Sequence, residues 1–164
     1  MKYILDSNFF IQPNRSFCPP EIGVSFWNKL KQLHYQKYVY SLDKVRDELF
    51  SNEDNLKKWF KSQSIEKDFF IKSNDDMLNK LKEISNWVQN SHYNEKARNK
   101  FLDRGKADIF LVSFASINED STIVTYETSQ PNRISEIKLP DICKQFNARC
   151  IQPIEMFREL NEKF

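Results

Sequence analysis

The chain has 164 residues, 40% of them hydrophobic and 14% aromatic, which suits one domain with a sizeable core and excludes a disordered chain. Its 25 basic and 23 acidic residues leave a formal net charge of +2, which argues against a generic polyanion-coating protein but leaves room for a local basic patch. With two glycines and two histidines, the chain cannot build a P-loop or a dinucleotide fingerprint, and a histidine zinc site or Ser-His-Asp triad fits poorly.

Residues 2–6 form a short apolar run, the pattern of a buried strand, which stops on Asp6, Ser7 and Asn8. Residues 21–37 carry Val24, Trp27, Leu30 and Leu33 at helical spacing. "YVYSL" (38–42) is rich in β-branched and aromatic residues and predicts a second strand. Asp43 is expected to N-cap the helix "KVRDELF", which continues or resumes through "NLKKWFKS". "DFFIK" (68–72) reads as a short strand or as a loop packed on the core. Ser73 or Asn74 opens a helix carrying Met77, Leu78, Leu81, Ile84, Trp87 and Val88. A charged stretch, "NEKARNKFLDRGK", precedes the apolar helix "ADIFLVSFASI" (107–117). "TIVTYE" (122–127) predicts a strand, and after a polar loop Pro140 opens the short helix "LPDICKQFN". "ARCIQ" (148–152) then predicts a strand and "PIEMFRELNEKF" a closing helix with proline at its start.

Four strands (2–6, 38–42, 122–127 and 148–152) separated by helices predict an α/β fold with a largely parallel sheet. There is no repeat, low-complexity tract or Pro/Gly-rich linker, so residues 1–164 are expected to form a single domain. No apolar run approaches ~18 residues, so no membrane span is expected. Cys18, Cys143 and Cys150 form no CxxC pair and follow no secretory segment, which predicts reduced thiols and a cytoplasmic protein. Cys143 and Cys150 are expected as small buried hydrophobes.

In open α/β sheets, sites form beyond the carboxyl ends of the strands. Asp6 ends the first strand and Glu127 the third, Asp108 stands just inside the apolar helix 107–117, and Glu48 borders the buried stripe of the helix after the second strand. Carboxylates brought this close repel one another and resist ionisation. A hard divalent cation such as Mg²⁺ or Mn²⁺ prefers oxygen ligands and removes that cost. Such an ion also activates water and stabilises charge on a phosphodiester under attack.

The order of these motifs resembles the PIN domain family of metal-dependent nucleases, which includes the toxins of VapBC-type toxin–antitoxin modules. "YILDSNFFI" resembles the family's opening strand with Asp6, "SLDKVRDELF" the segment supplying Glu48, "KADIFLVSFA" the helix carrying Asp108, and "STIVTYE" the strand leading to the fourth acid. The longer elements "FWNKL", "KADIFLVSFA", "VTYE" and "IKLPDICKQFNARCIQPIEMFREL" look most like an uncharacterised PIN-like bacterial family. The resemblance implies a Rossmann-like three-layer α/β/α sandwich of four or five mainly parallel strands. It also implies Mg²⁺- or Mn²⁺-dependent RNA cleavage, a homodimer and a cognate antitoxin. Asp6, Glu48 and Asp108 would hold the metal and Glu127 complete or orient the cluster, while Asn8 and Thr125 match supporting polar positions. One departure stands out: "Thr125-Tyr126-Glu127" offers Glu where the family commonly has Asp.

A nuclease must hold a polyanion. "KARNKFLDRGK" (96–106) places Lys96, Arg98, Lys100, Arg104 and Lys106 just before Asp108, and Arg133 follows Glu127 in the next loop. Lys100, Arg104, Lys106 and Arg133 are the candidate RNA-binding residues. Tyr35, Tyr38 and Tyr40 are expected to pack in the core or an interface. Two alternatives differ in class. One is a catalytically inactive PIN-like module that binds RNA or protein. The other is a haloacid-dehalogenase-like phosphohydrolase, which typically has a second Asp two residues after the first, where this chain has Asn8.

Overall fold

The structure is a computed structural model and describes residues 1–51 and 55–163. β1 (Lys2–Leu5) is followed, after Asp6 alone, by α1 (Ser7–Ser16). Next come α2 (Val24–Tyr35), β2 (Val39–Leu42), α3 (Asp43–Phe50), α4 (Asn55–Gln63), α5 (Glu66–Phe69) and β3 (Phe70–Ile71). The second half contributes α6 (Asp75–Gln89), α7 (Glu95–Phe101), α8 (Asp108–Ile117), β4 (Ser121–Val124), α9 (Leu139–Gln145), β5 (Arg149–Ile151) and α10 (Pro153–Glu159).

The strands form one five-stranded sheet in the order β3-β2-β1-β4-β5, every pair parallel. With helices flanking it, this is a three-layer α/β/α Rossmann-like sandwich. The strand order reverses between β1 and β4, and a crevice opens at such a switch point, outside the carboxyl ends of the strands. Register fixes what faces that crevice. Leu5 pairs with Val124, so the next residues, Asp6 and Thr125, emerge side by side.

The core explains the elements that local sequence did not announce. α1 was not expected, because Asp6-Ser7-Asn8 reads as a turn and Pro13 lies inside the helix. Phe9 and Phe10 are fully buried there; Phe10 meets Phe60 and Phe69 edge-on, and Phe9 stacks on Phe26. Burying two phenyl rings outweighs the weak local propensity. Likewise α7 hides inside the charged stretch: Asn94 caps it by accepting from the Ala97 amide at 2.9 Å, and Ala97 and Phe101 face inward.

Several boundaries move. Asp43 does not cap α3; Leu42 holds that position, and the Asp43 carboxylate accepts from Ser73 N at 3.2 Å and Ser73 Oγ at 3.1 Å. Asn74 caps α6 through the Met77 amide at 2.9 Å. "DFFIK" divides between α5 and β3. The strand expected over 122–127 ends at Val124, leaving Thr125 and Glu127 beyond it, and the closing helix ends at Glu159. Phe164, in the expected extension of that helix, lies outside the described residues. Tyr35 and Tyr38 are 60% and 43% exposed, so neither is core. Among the described residues no helix is long and apolar enough to cross a membrane.

Candidate functional site

Asp6 is the anchor. It is buried at 1% exposure, and its amide donates to Val124 O at 3.0 Å, continuing the β1–β4 ladder by one residue. Although it occupies the N-cap position of α1, its side chain makes no capping bond. The carboxylate turns to the neighbouring strand instead: Thr125 Oγ1 donates to Oδ2 at 2.7 Å and Ser7 Oγ to Oδ1 at 3.2 Å.

The single Ser7 proton is shared: Glu48 Oε2 lies closer, at 2.6 Å, so one hydroxyl spans the first two acids in a bifurcated contact. The other Glu48 oxygen accepts from the Ala107 amide at 2.9 Å, fixing α3 against the start of α8. Asp108 is the first residue of α8 and is half-buried. Glu127 lies past the end of β4; its amide donates to Thr125 Oγ1 at 3.2 Å and its Oε2 accepts from Leu139 N at 2.9 Å. Thus Thr125 links Asp6 to the Glu127 segment, and the first amide of α9 steadies Glu127.

The four acids influence one another electrostatically. Burial pushes Asp6 up to about 6 from an ordinary 3.8; the Thr125 hydrogen bond opposes this, and the charges of Glu127 and Glu48 add to it. Burial also raises Asp108 well above the usual carboxylate range, reinforced by Asp6, Glu127 and Glu48 and opposed by Lys106. Among the described residues none of the four forms an ion pair.

This all-oxygen donor set, underneutralised and partly desolvated, fits a hard divalent cation. Asp6, Glu48, Asp108 and Glu127 are the groups able to hold it. Among the described residues, however, no three His, Cys, Asp or Glu side chains already converge at metal-ligand spacing. Holding an ion with three of them would therefore require side-chain rotation. Asp108 accepts no hydrogen bond among the described residues, so its rotation breaks none.

Of the supporting positions read from sequence, Thr125 makes the expected contact. Asn8 sits half-buried in the first turn of α1 with no side-chain hydrogen bond among the described residues. Ser7, beside it, was missed; its adjacency to Asp6 was the only signal. The basic candidates separate. The charge of Lys106 is near enough to oppose the rise at Asp108. Arg104 lines a groove of about 730 Å³ with Lys44, Lys82 and Phe110, and Lys44 lies 5.1 Å from the Phe110 ring centroid. Lys100 and Arg133 converge on Glu136, as does Lys138, which sequence reasoning did not single out.

The family described as "Domain of unknown function (DUF4411)" matches residues 3–164. No curated protein and no solved structure matches the chain.

Proposed function

The chain belongs to the DUF4411 family, and for it we propose a metal-dependent, PIN-like ribonuclease that hydrolyses RNA phosphodiester bonds. The observation that carries this reading is the placement of Asp6, Glu48, Asp108 and Glu127 around the β1–β4 switch point without a protein cation paired to any of them among the described residues. Mg²⁺ or Mn²⁺, when bound, supplies Lewis-acid activation of water and neutralises charge on the phosphodiester. Asp6, Glu48 and Asp108 would hold that ion, Ser7 and Thr125 orient the first two acids, and Glu127 would complete the cluster or take a proton from water. The biological setting that suits this chemistry is the toxin of a bacterial toxin–antitoxin module, acting in the cytoplasm as a homodimer and blocked by a cognate antitoxin.

A second reading, a catalytically inactive module that binds RNA or protein, is favoured by one observation: Glu127 is engaged by the Leu139 amide. Two measurements decide. Calorimetric titration with Mn²⁺ is expected to detect binding by wild type and its loss in Asp108→Asn. Expression in a bacterium is expected to slow growth and fragment RNA, with Asp6→Asn harmless. Equal growth and intact RNA with both proteins, together with no Mn²⁺ uptake, would leave only the binding module.

A further inference from the structure

Three cations meet on one carboxylate in the segment just before α9. Glu136 contacts Lys138 Nζ at 3.0 Å, Lys100 Nζ at 3.1 Å and Arg133 Nη2 at 3.3 Å, an excess of two positive charges. The inner pair is sheltered, with side-chain exposures of 17% for Lys138 and 23% for Glu136, whereas Lys100 and Arg133 are 66% and 46% exposed. Arg133 is also held from its own loop, with Nη1 donating to Gln130 Oε1 at 2.8 Å and Nε to Ser135 Oγ at 3.3 Å.

One cation would satisfy Glu136, and exposed ion pairs add little to stability. The two outer cations thus add little to folding, yet both are held on Glu136. Their place is set by short connections to the acids. Lys138 directly precedes Leu139, whose amide holds Glu127, and α7, which carries Lys100, leads through residues 102–106 to the Ala107 amide on Glu48.

We propose that Lys100 and Arg133, aligned by Glu136 over Lys138, form a backbone-phosphate subsite that seats a single RNA strand beside the carboxylate cluster. The inference rests on the ribonuclease reading above. A phosphodiester offers two non-bridging oxygens and one negative charge, which suit a guanidinium fork with a neighbouring ammonium. Contacts of this kind position a strand without reading its sequence.

The test is fluorescence anisotropy of a labelled single-stranded RNA across a salt series in EDTA, so that binding is read without cleavage. Lys100→Ala/Arg133→Ala is expected to bind ~10-fold or more weakly near 0.1 M salt, with the log–log salt slope reduced by about 0.7, the value for one phosphate on a single strand. The charge-keeping Lys100→Arg/Arg133→Lys variant is expected to keep the wild-type slope, and Lys31→Ala/Lys37→Ala on and beside α2 its affinity to within about twofold. An unchanged slope in the alanine pair overturns the subsite, as does an equal loss in the charge-keeping pair, which would make the cluster structural. Competition by inorganic phosphate below about 1 mM would assign it to a free anion and overturn the strand reading. Cleavage assays in Mn²⁺ separate the two proposals. Active wild type with unaltered KM in the alanine pair removes the subsite alone, whereas inactive wild type with the slope change intact removes only the ribonuclease.

Discussion

Thr125 Oγ1 donates to Asp6 Oδ2 at 2.7 Å across 119 residues of chain. The bond joins the ends of β1 and β4 and offsets part of the desolvation of Asp6. Thr125→Val keeps the shape and removes the donor. Leaving a buried acceptor short of a partner costs about 1–3 kcal/mol, read as a lower midpoint in urea. Mn²⁺ affinity by calorimetry is expected to fall ~10–100-fold, the usual effect of losing an outer-shell partner. Thr125→Ser should restore both, and a valine variant matching wild type in both would rule the bond out as a determinant.

Ser7→Ala tests the bridge between Asp6 and Glu48. Glu48 keeps the Ala107 amide and Asp6 keeps Thr125, so the stability change should stay near ~1 kcal/mol. Metal affinity and RNA cleavage should nevertheless fall ~10-fold or more, because the two acids lose their common guide. Wild-type cleavage by this variant would show that the guide is dispensable.

Asp6→Asn should separate stability from activity. A folded-state value of about 6 against 3.8 means that ionised Asp6 opposes folding above pH 6 and has no such effect below 3.8. In EDTA at pH 7 the amide relieves this but loses one acceptor. The expected net gain is about 1–2 kcal/mol, or ~2–8 °C in melting temperature, with Mn²⁺ binding abolished. An amide variant that melts below wild type in EDTA contradicts the electrostatic account.

His34 supplies a pH dependence away from the site. It is 2% exposed, lies against Tyr40 and Phe69, and its Nδ1 is 3.1 Å from Val39 O, so the neutral ring donates there. Burial lowers its proton affinity below the usual 6.5. The unfolded chain therefore binds the proton more readily, and the His34 contribution is complete above pH 6.5 and lost as the pH falls below it. His34→Gln should be less stable at pH 7 by about 1–2 kcal/mol, yet show a shallower loss on acidification in urea titrations. An unchanged pH slope would show that His34 does not titrate with unfolding.

Four of the five strands were legible because β-branched and aromatic runs such as "YVYSL" have few other uses, and the apolar helix before β4 stood out by its long apolar run. The four acids were legible from their positions beside those runs, where a lone carboxylate is costly. What stayed hidden depends on partners remote in sequence. α1 is stabilised by rings from α2, α4 and α5 that no local window contains. The Ser7 bridge needs Glu48 to arrive from α3, and the Lys138–Glu136 pair gains meaning only when Lys100 reaches it from α7. Asp43 was misread because an acid before a helix usually caps it, whereas here Ser73 offers a better-placed donor.

The pairing of Leu5 with Val124 has a consequence for biosynthesis. Asp6 is made before its partner strand, which follows more than a hundred residues later. At ~5–20 residues per second that interval is roughly 6–24 s. During it the nascent chain carries the first carboxylates but not the strand that gathers them. Whatever chemistry the assembled acids perform, a stalled or truncated translation product ending before β4 does not inherit it.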